Sequence, residues 1–367
     1  MHEADRPGLK TSVIVLGAGV SGLSAALALL RRGHGVTLLE RGAVGGESSW
    51  AGGGILSPLL PWDYAEPLSR LALRSMATYA VWVEDIEARS GCMAEYWRCG
   101  MSVLGETRLD AALAWCKTHE LAVQVKHTNT GDSLWLPGIA QVRNPRLVAA
   151  LREAVVRMGG SIHTHCAVQT ALSRSERMAA VSTSQGLFEA DQFVIATGAW
   201  SGIALPGMDG VPNVRPIRGQ MLLFKLEPGV LDSILFRNGL YLIPRRDGHL
   251  LVGSTLEDAG FDKSTDTATR QRLHAEAAEL LPELAGLQPV QHWAGLRPGS
   301  PDNIPIIDRH PDFDNVFVNT GHYRYGVTMA PASAELLVDL MEGSTPALDP
   351  ATYRWQAALE RRWTDGS

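Results

Sequence analysis

The first forty residues constrain the fold most. The stretch "SVIVLGAGVSGLSAALALLRRGHGVTLLE" (12–40) has the pattern strand, glycine turn, helix, strand. Ser12–Leu16 is a short apolar run with two valines and an isoleucine, as a fully buried parallel strand requires. Ser21–Arg32 is rich in Ala and Leu and stops at Gly33, and Val36–Leu39 is the next apolar run. Together they predict a βαβ unit. Gly17, Gly19 and Gly22 place G-x-G-x-x-G at the strand-to-helix junction, the context that gives the motif meaning. The first glycine permits the tight turn, the second lets backbone approach a pyrophosphate, and the third lets helix and strand pack closely. The helix start then offers free N–H groups and partial positive charge to the phosphates. Glu40 stands 18 residues after Gly22 at the end of the second strand, where a carboxylate can accept from a ribose hydroxyl. The motif predicts a dinucleotide and leaves NAD and FAD both open.

The cluster "GGESSWAGGGILSP" (45–58) follows. Ser48 and Ser49 carry hydroxyls suited to a pyrophosphate, and Gly52–Gly54 would let a flat ring lie against backbone. Trp50, Ile55 and Leu56 make the segment too apolar for a flexible surface loop. Helices are predicted over about 66–89, 108–120, 144–160, 269–281 and 326–341. Strands are predicted over 96–105, 191–202 (a buried strand running into a turn), 219–226, 240–248, 249–255 and 315–321, with a hairpin turn at Arg246-Asp247-Gly248. The parallel-type strands lie at the start, middle and end of the chain, and the antiparallel-looking ones lie between. The expected fold class is therefore α/β. A Rossmann-type nucleotide-binding domain (1–90, 143–215 and 297–367) would be interleaved with a substrate domain on a mixed, largely antiparallel sheet (91–142 and 216–296).

Several classes are excluded on simple grounds. The formal net charge is −6 and no Lys/Arg block stands out, so neither nucleic acid nor an anionic membrane is an expected partner. Residues 12–30 mimic a signal core, but their fixed glycines and the lack of a small-residue cleavage pattern argue against one. Cys92, Cys99, Cys116 and Cys166 form no C-x-x-C or zinc spacing and read as reduced thiols of a cytoplasmic protein. His163 and His165 flank a possible metal position beside Cys166, but strand alternation would set Cys166 on the opposite face, so no metal is expected. Neither H-E-x-x-H nor G-x-S-x-G occurs.

"HWAGLRPGS" (292–300) poses a sharper question. Arg297 follows Trp, Ala, Gly and Leu, and Pro298-Gly299 is expected to break the chain after it. Either the guanidinium turns to water or an anion meets it inside, and the residues alone leave both open.

The motifs "VIVLGAGVSGL" (13–23), "ESSWAGGGILSP" (47–58), "VIATGAWSG" (194–202), "RPIRGQMLLF" (215–224), "YLIPRRDGHLLVGSTLE" (241–257), "HWAGLRPGSPDNIPII" (292–307) and "GHYRYGVTMAPASAELLVDLM" (321–341) run in one order through nearly the whole chain. In that order they resemble the D-amino acid oxidase and sarcosine oxidase family of flavoenzymes. Within it they are closest in pattern to the glycine-oxidising branch linked to thiazole formation in thiamine biosynthesis. The resemblance selects FAD as the cofactor. It implies FAD contacts from Gly17, Gly19, Gly22, Glu40, Ser48, Ser49, Gly53, Gly54, Val168, Gly198, Trp200, His322, Arg324, Tyr325, Gly326, Val327 and Thr328. The sarcosine oxidase branch ties its flavin to a cysteine in the C-terminal half. All four cysteines here precede residue 167, so noncovalent FAD is expected.

The same resemblance makes Arg297 the carboxylate anchor of a small amino acid, with Tyr241, Arg324, Leu256 and Ile55 around it. A planar guanidinium gives a carboxylate two parallel hydrogen bonds and so fixes its orientation. It implies hydride transfer from Cα to the flavin, hydrolysis of the imine to a 2-oxo acid and ammonia, and reduction of O2 to hydrogen peroxide. No general base is assigned. A homo-oligomer and a thiazole-forming partner enzyme are the expected associations. The alternatives are a D-amino acid or secondary-amine oxidase, for example of sarcosine, a dehydrogenase with another electron acceptor, or a noncatalytic dinucleotide module. Three positions depart from the family pattern: Asp308, Tyr325 and Leu256.

Overall fold

A computed structural model describes residues 10–128 and 131–363. The opening unit forms as its pattern predicts. The strands Ser12–Leu16 and Gly35–Leu39 pair in parallel, joined by the helix Val20–Arg31. Residues 13–16 are fully buried, which explains their unbroken apolar run. A six-stranded sheet grows around them in the order Ile306–Arg309, Val316–Thr320, Gln192–Ile195, Ser12–Leu16, Gly35–Leu39, Ser161–His163. All neighbours are parallel except the first pair. The helices Val20–Arg31, Glu66–Ser90, Asn144–Arg157 and Gly326–Glu342 pack against one another beside it.

A second sheet has eight strands in the order Gln291–Gly299, Arg215–Lys225, His249–Gly253, Leu240–Pro244, Ile234–Arg237, Met101–Leu104, Gly131–Leu136, Gln124–Thr128. One internal pair, Ile234–Arg237 with Met101–Leu104, is parallel, and the rest are antiparallel. Alternation decides what each face does. Leu222, Phe224, Leu242, Leu250 and Val252 meet Leu273 and Ala277 of the helix Thr267–Leu280. That helix is capped by Asp266, whose carboxylate accepts from Thr269 N–H at 2.8 Å. Met221, Tyr241 and Ile243, one residue out of phase, point the other way and join the main core.

Four expectations need correction. Pro298 and Gly299 do not break the chain: Gln291–Gly299 is one strand, paired along its length with Arg215–Lys225, Pro298 opposite Pro216. Proline is tolerated because this is the sheet's edge, and the partner strand lacks its second neighbour at that end. The boundary placed at 296/297 therefore cuts a strand, and Arg297 stands on the eight-stranded sheet. Likewise the 215/216 boundary falls at the first residue of a strand. A three-stranded sheet, Val168–Arg174, Arg177–Thr183 and Gly186–Glu189, was not expected, because its residues are largely polar and exposed. The alternation argument for Cys166 also lapses, since the strand ends at His163 and His165 has φ 55°. Cys166 is nonetheless buried.

Candidate active site

A cavity of about 370 Å³ runs from the C-terminal ends of the parallel strands to the open face of the eight-stranded sheet. Its first end is built from backbone. Gly17 has φ +102°, and a Cβ there would stand 2.5 Å from the carbonyl oxygen of Ala196. A Cβ on Gly22 would stand 2.0 Å from the carbonyl of Gly17, so Gly22 serves the helix–strand contact and does not line the cavity. Gly19 is the N-cap of the helix Val20–Arg31 and lines the cavity beside Ser49. The Ser49 hydroxyl accepts from Val20 N–H at 2.9 Å, and the Ser48 hydroxyl donates to Leu296 O. Glu40 accepts from Ala18 N–H at 2.9 Å and Gly42 N–H at 2.8 Å, which holds its carboxylate at the rim with lone pairs to spare.

Val168, Gly198 and Trp200 line the same end. Trp200 lies between the Arg41 guanidinium, 3.4 Å from its ring centroid, and Phe261, stacked at 5.3 Å. Gly53 and Gly54 also line the cavity. A Cβ on Gly53 would strike Ile243 at 2.5 Å, and one on Gly54, at φ +78°, would strike Val142 O at 2.1 Å. The buried Arg245 guanidinium, lowered to about 10 by desolvation and by Arg143, holds this segment by donating to Gly53 O at 2.8 Å.

The second end is built from side chains. Arg297 donates to Ser254 Oγ at 2.7 Å and Thr255 O at 3.1 Å. Its guanidinium lies on the bare Cα of Gly219, where a Cβ would come within 2.1 Å. Among the described residues no carboxylate pairs with it, and it lines the cavity. Tyr241, 7% exposed, lines the cavity beside it. Ile55 does so too, and Thr328 Oγ1 donates to the Ile55 carbonyl at 3.0 Å. Arg324 lines the cavity and donates to Tyr64 Oη at 3.2 Å. Burial opposes its charge, yet its pKa stays above the ordinary guanidinium value among the phenols of Tyr325, Tyr64, Tyr241 and Tyr323, so it is cationic.

Leu256 is the exception among the expected residues: it is 47% exposed and does not line the cavity. Its neighbours explain why. Thr255 is buried under Gln220 N–H, and Glu257 bridges to Arg218 through both backbone groups, so alternation turns residue 256 outward.

The helix Gly326–Glu342 presents its first turn, Gly326, Val327 and Thr328, to the cavity. N–H groups there have no partner within the helix and carry the positive end of its dipole. His322 lies just before it, 1% exposed, with Nε2 3.0 Å from Ser333 Oγ. Burial lowers its pKa to about 4, so the ring is neutral at ordinary pH. The Tyr325 phenol is committed elsewhere: its oxygen accepts from Leu59 N–H at 3.0 Å and also meets Leu59 O and the Tyr64 hydroxyl. Ser254, Gly219, Tyr323 and Tyr64 had no role assigned from sequence. The first three lie inside quoted motifs, but nothing in a motif says which of its residues turns toward a neighbour.

A glycine turn that any Cβ would block, a carboxylate at the second strand's end and two helix starts facing one cavity define a dinucleotide-dependent oxidoreductase, and they fit FAD. Comparison with known proteins specifies the class. Residues 12–340 match the family model described as FAD dependent oxidoreductase (DAO). The chain is 43% identical over 354 residues to a glycine oxidase of Pseudomonas aeruginosa, covering 93% of this chain and 97% of that one. It is 41% identical to a glycine oxidase of Pseudomonas putida, covering 96% and 100%. A bifunctional protein ThiO/ThiG of Synechocystis is 33% identical, covering 90% of this chain and 51% of that one. The crystal structure of glycine oxidase from Geobacillus kaustophilus superposes with a TM-score of 0.87 at 27% identity, covering 94% and 98%. The chain belongs to the FAD dependent oxidoreductase family.

Proposed function

We propose that this protein oxidises glycine or a similarly small amine to the imine, which water hydrolyses to a 2-oxo acid and ammonia, with O2 reduced to hydrogen peroxide. The observation that carries the reading is the half-buried, cavity-lining Arg297, laid on Gly219 and without a carboxylate partner among the described residues. A half-buried cation facing a cavity is stabilised by an anionic ligand, and a carboxylate matches its fork. Names borne by relatives at 41–43% identity support glycine as the substrate. FAD, when bound, supplies the two-electron acceptor.

The chain's own residues bind and orient. Arg297 and Tyr241 hold the carboxylate. The first turn of the Gly326–Glu342 helix meets negative charge on the cofactor. His322 is neutral and hydrogen-bonded to Ser333, so it is a packing residue here and no base is invoked. Gly17, Gly19, Glu40, Ser48, Ser49, Gly53, Gly54, Val168, Gly198 and Trp200 hold FAD noncovalently. Of the four thiols only Cys166 lines the cavity, beside Val168 at the dinucleotide end. A cytoplasmic location, a homo-oligomeric state and supply of a thiazole-forming enzyme complete the proposal, the last supported by the ThiO/ThiG relative. Among the described residues no helix is long and apolar enough to cross a membrane.

The test is peroxide release by the purified flavoprotein with glycine, sarcosine and D-alanine. Turnover of at least one is expected. No turnover with O2 or with an artificial acceptor overturns the reading.

A further inference from the structure

The cavity holds more positive charge than one amino-acid carboxylate needs. Its carboxylates are Glu40, Glu47 and Asp209, away from Arg297 and Arg324 in the sequence motifs, and the first two are already engaged. Glu40 accepts from Ala18 and Gly42 N–H, and Glu47 pairs with Arg41 and Lys263. The Asp209 backbone lies against His310. At the second end stand two guanidiniums, Arg297 and Arg324, and among the described residues neither has an acidic partner. Tyr323 N–H donates to Pro298 O at 2.9 Å, which sets the backbone just before Arg324 against the backbone just after Arg297. The two cations therefore line the same end of the cavity.

Their hydrogen bonds leave most donors free. Arg297 uses one N–H on Thr255 O and one on Ser254 Oγ. Arg324 uses one on Tyr64 Oη, and that hydroxyl is itself fixed by donating to Leu59 O at 2.9 Å. No guanidinium nitrogen of either residue is a fully buried atom without a partner, so the remaining N–H groups open to the cavity. Arg324 is held aimed by Tyr64, which is in turn clasped by Tyr325. Two like charges lining one partly desolvated cavity end repel, and a ligand that neutralises both relieves this. The helix start at Gly326 already supplies a positive pole for the cofactor.

We infer that the site accepts an amine bearing two carboxylates, the first on Arg297 and the second on Arg324, carried either on the nitrogen substituent or on the side chain at Cα. This inference rests on the function proposed above. The chemistry balances. The Cα–H bond breaks and its electron pair passes to the cofactor, a C=N bond forms, and water then cleaves it. For iminodiacetate the sum is iminodiacetate, O2 and water giving glyoxylate, glycine and hydrogen peroxide. For D-aspartate it is oxaloacetate, ammonium and hydrogen peroxide.

Two substrate pairs test it, each differing by one carboxylate: sarcosine against iminodiacetate, and D-alanine against D-aspartate. A kcat/KM about tenfold or more higher for the dicarboxylate is expected in at least one pair, and that pair tells where the second carboxylate sits. Arg324→Met removes the preference, and Arg324→Lys keeps part of it. A binding arm needs no turnover. Thiodiacetate and (methylthio)acetate, which cannot form an imine, are titrated against the flavin absorbance of the holoenzyme. The dicarboxylate binds about tenfold tighter to the wild type and equally to Arg324→Met. Turnover of sarcosine or D-alanine with no dicarboxylate preference overturns this inference and leaves the proposed function standing. A preference that survives in Arg324→Met also overturns it. Turnover of glycine but of none of the four overturns this inference alone, and no turnover of glycine or of any of the four removes the proposed function and this inference with it.

Discussion

The two ends of the cavity are made from different materials. At the dinucleotide end the parts are backbone: a glycine turn, helix starts, and carbonyls too close for any side chain. Glu40 and Ser49 there serve mainly to hold backbone N–H groups in place. At the substrate end the parts are side chains delivered by the edge of an antiparallel sheet and by the turn before the last helix. A backbone site tolerates no added atom, because the turn cannot move without the strands. A side-chain site bends, because a guanidinium on three methylenes can swing. The two ends should therefore fail differently when altered.

The largest effect is expected at Gly17→Ala. Positive φ and a carbonyl 2.5 Å from the new Cβ leave no local relaxation. A loss on the order of 2–4 kcal/mol is expected, with little flavin retained, read by thermal unfolding and by the flavin-to-protein absorbance ratio. Full flavin content in this variant would break the contrast.

Next is His322, buried and neutral just before the last helix. Its imidazole protonates near the ordinary value of 6.5 in the unfolded chain but only near 4 in the fold. The unfolded state thus binds more protons between those values. Stability is full above pH 6.5 and declines as pH falls toward 4, by on the order of 3 kcal/mol. His322→Gln should flatten the pH dependence of Tm in that window. An unchanged slope would assign the acid sensitivity elsewhere.

Gly219→Ala sharpens the comparison. The added methyl meets only the far end of Arg297. The guanidinium should shift, raising KM roughly three- to tenfold while flavin content stays normal. A collapse like that of Gly17→Ala would show that the substrate end is as rigid as the other. The smallest effect belongs to Leu256→Ala, whose side chain faces solvent: stability within roughly 0.5 kcal/mol and KM unchanged, by unfolding and steady-state kinetics.

The same contrast governs what could be read in advance. Ser12–Leu16 and the glycines after it announce themselves, because backbone constraints leave a fixed spacing in the chain. The last helix was also plain from its length and its polar entry. Arg297 is different. Gly295, Pro298 and Gly299 around it look like a turn, and only pairing with Arg215–Lys225 makes them an edge strand. Its partners Ser254 and Gly219 lie about 40 and 80 residues away, so no local pattern joins them. The resemblance to a family brought Arg297 and Tyr241 together. It also misplaced Leu256, because a one-residue alternation decides which side a strand residue takes. The polar 168–189 sheet escaped because its strands bury too little to leave a period.

The central claim is that the guanidinium of residue 297 anchors a carboxylate next to the bound flavin. Its most direct measurement is the dissociation constant of (methylthio)acetate, followed by flavin absorbance, in the wild-type holoenzyme and in Arg297→Met. The account predicts weakening on the order of 2–5 kcal/mol, roughly thirtyfold to several thousandfold, with FAD content and Tm essentially retained. An unchanged dissociation constant in the flavin-loaded variant would contradict it.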